Sequence, residues 1–386
     1  MSLLSWLTRL YTIAGSTFLT IMLLLVLTSA GFYLLEKLSG PDLGRINPKV
    51  HDRIVTRKRS DLSTVYPQYT NDEIDALLVE TWSRPVGYEA FTQFRERPFN
   101  GRYINVSQKG FRYIEKQAAW PPRESNFNIF VFGGSTTFGY GVADTETIPS
   151  QLQKELRKQL PNRRIAVYNF GRSYYYSTQE RVLYEQLLAD GHRPSLALFI
   201  DGINEYHNER NLPGLTRQLT RYVDSMTPEK TIRRLIADLN GDMATLVAGF
   251  VEDNPLLKKW KSREQLVDAV NGTYLANSEL ITTASKANGV EPIFVWQPSP
   301  TYRYDQDYNL FKMDNENVVR NTLAGFDLMR PNFTTATTHN NRLWLADIQK
   351  EIKRPLYVDG VHYSADMSHM IATAIATWIV DKKLIK

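Results

Sequence analysis

Residues of the types that perform acyl transfer occur at two distant places in the chain. At the first, Gly133 and Gly134 precede Ser135, and glycines tolerate the tight backbone that exposes a serine hydroxyl at a strand-to-helix turn. At the second, Asp359 and His362 stand three residues apart, close enough for a carboxylate to orient an imidazole and stabilise its charged form. Each pattern also has a simpler interpretation, because Ser135 could only cap a helix and His362 could lie on a surface loop.

Two further segments could supply hydrogen-bond donors to a negatively charged oxygen. The segment Asn169-Phe170-Gly171 could present the Gly171 N–H, and the segment from Asp201 to Glu205 places the amide of Asn204 after another apolar run. An amide side chain can donate to an oxyanion, although glycine and asparagine are also common turn residues.

The elements that would position these residues are short apolar runs separated by helical stretches. Runs that are apolar on both faces and alternate with helices predict a parallel sheet covered on each side. In such sheets ligands bind at the carboxyl ends of the strands, so functional residues should follow directly after the runs. The runs are NIFVFG at 128–133, RIAVYNFG at 164–171, LALFIDG at 196–202, EPIFVWQ at 291–297 and PLYVDG at 355–360.

Taken in order, four segments resemble the conserved blocks of the SGNH (GDSL-like) hydrolase superfamily. They are GGST at 133–136, the strand-ending Gly171, G-x-N at 202–204 and D-x-x-H at 359–362. The resemblance spans about residues 127–378 and implies a three-layer α/β/α, flavodoxin-like fold with a central parallel sheet. It implies that Ser135 is the nucleophile and that His362 is the general base, supported by Asp359. It also implies an oxyanion hole formed by the N–H groups of Ser135 and Gly171 and the side chain of Asn204.

This sequence departs from the superfamily pattern at two positions. The first block reads GGST where many members have Gly-Asp-Ser, a form similar to that of exported bacterial relatives that act on polysaccharides. The third block ends in Glu205 where aspartate is usual. We expect Glu205, Gln297 and Tyr174 to contact substrate, with Tyr174 offering a ring surface to a sugar.

No metal or cofactor is expected. Cysteine is absent, which excludes a cysteine nucleophile, a zinc–thiolate site and a disulfide framework. The remaining histidines lack the spacing of a metal site.

A membrane anchor is predicted near the N-terminus. No charged residue occurs from Tyr11 to Leu35, and a helix of this length crosses a hydrocarbon layer of about 30 Å. The alternatives are a cleaved signal peptide and a buried core helix. The division expected is a tail at 1–10, the anchor at 11–35, a stalk and collar at 36–120 and a hydrolase-like domain at 121–386 with a helical insertion at about 205–288.

Two opposing arguments bear on which side of the membrane the large domain occupies. Arg9 precedes the predicted anchor, whereas Lys37, Arg45, Lys49 and Arg53 follow it, so the positive-inside rule would leave the large domain in the cytoplasm. Long domains translocate largely regardless of such charges, and the family resemblance implies an exported catalytic domain. We therefore expect the domain on the periplasmic or extracytoplasmic side.

Composition limits the classes of partner. The chain has 46 Lys and Arg against 41 Asp and Glu, a net charge of +5, and its basic residues are scattered, which argues against nucleic acid. The leading hypothesis is an esterase acting on O-acyl groups, with acetyl expected, of a cell-surface or exported carbohydrate. The alternatives are an acyltransferase, lipase or thioesterase with the same serine, or a non-catalytic polysaccharide-binding member of an export complex. Protein partners are not indicated by the sequence.

Overall fold

The chain divides into two compact units, residues 1–53 and residues 54–386, in a computed structural model. The structure describes residues 3–38, 59–208, 262–313, 315–335 and 340–385, together with positions 212, 213, 216, 219 and 260. Much of the helical insertion expected at about 205–288 lies outside the described residues.

The described residues of the first unit form helix α1 (Leu3–Leu38). Its segment Tyr11–Gly31 is 21 residues long with a mean hydropathy of 2.0, and none of it is buried. Length and composition therefore allow this helix to cross a membrane, and a signal sequence has the same properties.

The second unit is built on a five-stranded parallel sheet. The strand order is β6-β5-β7-β8-β9, every neighbouring pair is parallel, and this is the 2-1-3-4-5 order of flavodoxin-like folds. The strands are β5 (Phe127–Gly133), β6 (Ile165–Asn169), β7 (Leu196–Asp201), β8 (Glu291–Trp296) and β9 (Arg342–Trp344), preceded by the short strands β1 (Val86–Glu89), β2 (Gln93–Glu96), β3 (Phe99–Asn100) and β4 (Asn105–Val106).

Helices cover both faces of this sheet. Alternate side chains of β5 point to opposite faces, as the strand period of two requires: Ile129 and Val131 belong to one apolar core, and Phe130 and Phe132 to the other. The expected three-layer α/β/α fold is confirmed. Within the described residues, the helices of this unit are α2 (Arg59–Val65), α3 (Asn71–Trp82), α4 (Ser135–Phe138), α5 (Ile148–Gln159), α6 (Ser177–Ala189), α7 (Ile203–His207), α8 (Arg263–Ala287), α9 (Glu316–Met329), α10 (Pro331–Thr334) and α11 (Ala365–Asp381). Helices α5 and α11 cover the first face, and α6, α8 and α9 cover the second.

Four of the five predicted strands are confirmed, and the fifth is wrong. The segment 355–360 folds back on itself: Val358 N–H donates to His362 O and Ser364 N–H donates to Leu356 O, both at 2.9 Å. These bonds use backbone groups that a ladder would need, and the last strand is Arg342–Trp344 instead.

The collar between residues 59 and 120 packs as part of the same unit. Arg112 is fully buried and donates to the carbonyl oxygens of Phe138 (3.0 Å), Gly139 (2.6 Å) and Val142 (2.7 Å) and to Asp144 Oδ1 (2.8 Å). This arginine therefore braces the loop that follows Ser135.

Candidate active site

Ser135, His362 and Asp359 form one hydrogen-bonded line, although 227 residues separate the first two in sequence. His362 Nε2 lies 2.8 Å from Ser135 Oγ, and His362 Nδ1 lies 2.7 Å from Asp359 Oδ2. His362 and Asp359 are 7% and 4% exposed. A buried carboxylate that accepts from one imidazole nitrogen leaves the other free to accept a proton from the serine.

The spacing of Asp359 and His362 has a local structural reason. Asp359 Oδ1 accepts hydrogen bonds from the backbone N–H groups of Val361 and His362, each at 2.8 Å, and Oδ2 accepts from the imidazole. The Asp359 carboxylate therefore stabilises the turn and also orients the imidazole ring of His362. The three-residue spacing allows one carboxylate to do both.

Ser135 begins helix α4, and Gly134 is its N-cap. A Cβ atom on Gly134 would lie 2.2 Å from Asn204 Nδ2, so glycine is required for the amide of Asn204 to approach the turn that carries Ser135. Asn204 Nδ2 donates one hydrogen to Tyr175 O at 2.7 Å, and its second hydrogen has no acceptor among the residues that the structure describes. The backbone N–H of Ser135 makes no hydrogen bond within the described part of the chain.

Gly171, which the sequence predicts to be an oxyanion donor, lies against helix α4. Its N–H already donates to Asn169 Oδ1 at 3.0 Å. A Cβ atom at this position would lie 2.3 Å from Phe138 N, so the glycine is required because the backbone of α4 passes against it. The oxyanion role expected for Gly171 stays a prediction, and in this structure its N–H is directed to Asn169.

Tyr174, in the loop after β6, has the properties expected of a site residue. Its φ is +57°, an uncommon conformation for a residue other than glycine, and its side chain is 60% exposed. Hydrogen bonds fix the neighbouring peptide groups: Ser173 N–H donates to Glu96 Oε1 at 2.7 Å, and Tyr174 O accepts from Asn208 Nδ2 at 3.3 Å. The N–H of Tyr174 has no hydrogen-bond partner among the described residues.

Glu205 and Gln297, which were expected to contact substrate, are buried instead, with 3% and 1% exposure. The Glu205 carboxylate accepts from Ser177 N (2.8 Å) and Ser177 Oγ (2.9 Å), and burial raises its pKa. Gln297 Oε1 accepts from Thr136 Oγ1 at 2.8 Å and lies 3.1 Å from the hydroxyl of Tyr363. The Glu205 carboxylate and Gln297 Oε1 are thus bonded to protein groups, and a contact of either side chain with substrate stays a prediction.

An aromatic pair lies beside His362 and was not identified from the sequence. The ring centroids of Trp82 and Tyr140 each lie 5.5 Å from that of His362. Burial, reinforced by Glu96, raises the pKa of Tyr140 to about 12, so its phenol is neutral at neutral pH. No sequence pattern pointed to Trp82, because it lies in the collar, far from the segments that carry the resemblance.

Comparisons with known proteins give similarity in structure only. No family model and no curated protein matches the sequence. The chain is similar to a protein of the G-D-S-L lipolytic family from Desulfitobacterium hafniense DCB-2, with 12% identity, a TM-score of 0.36 and coverage of 66% of this chain and 99% of that one. It is also similar to an acetylxylan esterase from Geobacillus stearothermophilus, with 13% identity, a TM-score of 0.36 and coverage of 66% and 94%, and to an esterase from Pseudoalteromonas sp., with 12% identity, a TM-score of 0.33 and coverage of 67% and 99%.

Proposed function

We propose that this protein is a membrane-anchored serine esterase that hydrolyses O-acyl esters, with acetyl as the expected group, of a cell-surface or exported carbohydrate. The observation that carries the proposal is the line of hydrogen bonds from Ser135 Oγ through His362 to Asp359, at 2.8 and 2.7 Å. In this proposal Ser135 is the nucleophile, His362 the general base and Asp359 its supporting carboxylate.

The reaction divides into two half-reactions. His362 Nε2 takes the proton of Ser135 as Oγ attacks the ester carbonyl, and the resulting imidazolium gives this proton to the departing sugar oxygen, which leaves an acyl-serine. Water then attacks the same carbonyl carbon while His362 takes a proton from it. The carboxylic acid leaves as Ser135 regains its proton from His362. No metal or cofactor takes part in these steps.

The negative charge that develops on the carbonyl oxygen needs fixed donors. We assign the N–H of Ser135 and the free hydrogen of Asn204 Nδ2 to this role. We assign the third position to the N–H of Tyr174 in place of Gly171, since the Gly171 N–H is bonded to Asn169 and that of Tyr174 has no partner in the described residues.

Three features support the choice of substrate and location. The exposed ring of Tyr174 offers an apolar surface suited to a sugar ring, and the GGST block resembles that of exported relatives that act on polysaccharides. The apolar segment Tyr11–Gly31 would anchor the enzyme as a single pass, with the catalytic domain on the extracytoplasmic side.

The test is covalent trapping of the full chain, purified in detergent, with a fluorophosphonate probe, followed by mapping of the modified peptide. We expect label on the peptide that contains Ser135, and neither label nor hydrolysis of p-nitrophenyl acetate in Ser135→Ala. His362→Ala should abolish both signals. His369→Ala is the matched control because His369 is exposed and bonded to Gln151. Label on another peptide, or equal hydrolysis by wild type and Ser135→Ala, would rule out the assignment. Release of acetate from an acetylated xylo-oligosaccharide then tests the carbohydrate part of the proposal.

A further inference from the structure

Trp82 belongs to the collar, yet its indole lies against the imidazole of His362. The two ring centroids are 5.5 Å apart with the planes at 69°. Tyr140 lies 5.5 Å from His362 with the planes at 24°, and Trp82 and Tyr140 are 5.1 Å apart. The three centroids form a nearly equilateral triangle, so the two aromatic rings make one continuous wall beside the imidazole.

Helix α3, which ends at Trp82, is fixed firmly in place. Its residues Leu77 and Leu78 are buried in the collar. The carboxylate of Glu80 accepts hydrogen bonds from three consecutive backbone N–H groups, those of Arg102 (2.8 Å), Tyr103 (2.9 Å) and Ile104 (3.0 Å). A side chain at the end of such a helix has little freedom to move away from its neighbours.

We infer that Trp82 is a positioning residue for His362 and that the collar is therefore part of the catalytic unit. This inference rests on the proposed function. The wall restricts rotation of the imidazole, so Nδ1 stays on Asp359 while Nε2 stays on Ser135. When His362 takes the proton from Ser135, the adjacent aromatic rings also stabilise the positive charge that forms on it.

A different role for Trp82, as a surface for the sugar, makes opposite predictions. Trp82 is only half-buried, so part of its ring is accessible. A sugar-binding surface acts on the bound ground state, so its loss raises KM for a carbohydrate ester with little change in kcat. For a small aryl ester, which makes no contact with that surface, neither constant should change. A positioning role for the histidine acts on the chemical step, so its loss lowers kcat and leaves KM for a small aryl ester unchanged.

The kinetic experiment uses p-nitrophenyl acetate, whose small acyl group and flat leaving group do not need a sugar subsite. We expect Trp82→Ala to lower kcat about tenfold, as the loss of one well-packed aromatic contact would do, with KM unchanged. Trp82→Phe should restore most of the rate, because a phenyl ring retains the contact. Trp120→Phe is the matched control: this collar tryptophan packs against Phe111 and Tyr168, away from His362.

A second measurement does not depend on activity. Protonated imidazole quenches the fluorescence of a neighbouring indole, so the emission of Trp82 should rise as His362 loses its proton. The difference between wild type and Trp82→Phe isolates this signal and cancels that of Trp120, which lies 4.5 Å from His192. We expect the difference to titrate with pH and the titration to vanish in His362→Gln.

The outcomes separate the two proposals. A titrating difference in a protein that hydrolyses no ester supports the positioning contact and rejects the esterase. An active enzyme whose difference signal does not titrate, or in which Trp82→Ala leaves kcat for p-nitrophenyl acetate unchanged, overturns the positioning role.

Discussion

Gln297 Oε1 accepts a hydrogen bond from Thr136 Oγ1 at 2.8 Å. Thr136 follows Ser135 in the chain, and the same Oε1 atom lies 3.1 Å from the hydroxyl of Tyr363, which follows His362. The Tyr363 hydroxyl is shared with Pro298 O at 2.6 Å. One buried amide oxygen thus connects the turn that carries the proposed nucleophile to the loop that carries the proposed base.

We predict that Gln297→Ala lowers both stability and kcat. The change leaves two buried hydroxyl groups without this acceptor, which costs about 1–3 kcal/mol in the free energy of unfolding. It also removes a contact that fixes the distance between Ser135 and His362. Gln349→Ala is the control, because Gln349 is equally buried but donates to Ser299 O and Tyr302 O. Thermal unfolding and p-nitrophenyl acetate kinetics measure the two effects. An equal fall in kcat in both variants would show that the loss is one of general stability.

Asn204→Ala tests the assignment of the oxyanion donors. Loss of one such donor lowers kcat by about 10²–10³-fold, or about 2.7–4 kcal/mol, and the Tyr175 carbonyl also loses its partner. Asn288→Ala is the matched control, since its amide donates to Ala284 O at the end of α8. Circular dichroism should show the Asn204→Ala protein folded at the assay temperature. Retention of more than about a tenth of wild-type kcat would argue that Asn204 is not an oxyanion donor.

Gly171→Ala and Gly272→Ala should shift stability in opposite directions. The new Cβ at 171 would lie 2.3 Å from Phe138 N, a backbone atom that cannot give way cheaply, whereas nothing lies within 4 Å of a Cβ at 272. We expect a loss of about 1–3 kcal/mol for Gly171→Ala and a gain of about 0.4–1 kcal/mol for Gly272→Ala, which lies inside α8. Thermal unfolding measures whether each variant is less or more stable than the wild type. Wild-type stability in Gly171→Ala would contradict the packing role assigned to this glycine.

The sequence predicted the sheet well because its strands are buried on both faces and read as continuous apolar runs. It failed at 355–360, where the apolar residues Leu356 and Val358 are buried inside a loop that bonds to itself. A short apolar run has the same sequence pattern whether it forms a buried strand or a buried loop. Helix α3 begins at Asn71. The N-cap is Thr70, which forms a capping box with Glu73, and the Thr-x-x-Glu pattern was present in the sequence.

The residues of the proposed triad could be read from their spacing and order, because each follows a chemical rule that operates within a short segment. The residues that surround the proposed triad could not be predicted in this way. Gln297, Glu205 and Trp82 act through contacts with residues distant in sequence, and only the folded chain shows that the first two are buried and that the third lies against His362. For Gly171, a sequence motif cannot show that Asn169 Oδ1 already occupies its N–H.

A cluster of buried carboxyl groups beneath Asn204 leads to a prediction about pH. Glu180, Asp201 and Glu205 are 1%, 4% and 3% exposed. Burial raises the pKa of all three, and for Glu180 and Glu205 the charge of Asp201 adds to the effect. In the unfolded chain these groups release their protons at the ordinary pKa of a carboxyl group, below that of the folded state. At pH values between the unfolded-state pKa and the folded-state pKa, the folded state therefore binds more protons than the unfolded state. The stability that this cluster contributes falls as pH rises through that range.

Glu180→Gln removes one of these groups while preserving its shape, so the loss of stability between about pH 5 and pH 8 should become smaller. Glu185→Gln, on the same helix but bonded to Arg181 and half-exposed, should leave the slope of the wild type unchanged. The measurement is the unfolding temperature of the full chain in detergent at several pH values and constant ionic strength, expressed as the difference from wild type. A difference for Glu180→Gln that does not grow more positive with pH would show that the buried carboxyl groups titrate alike in the folded and unfolded states.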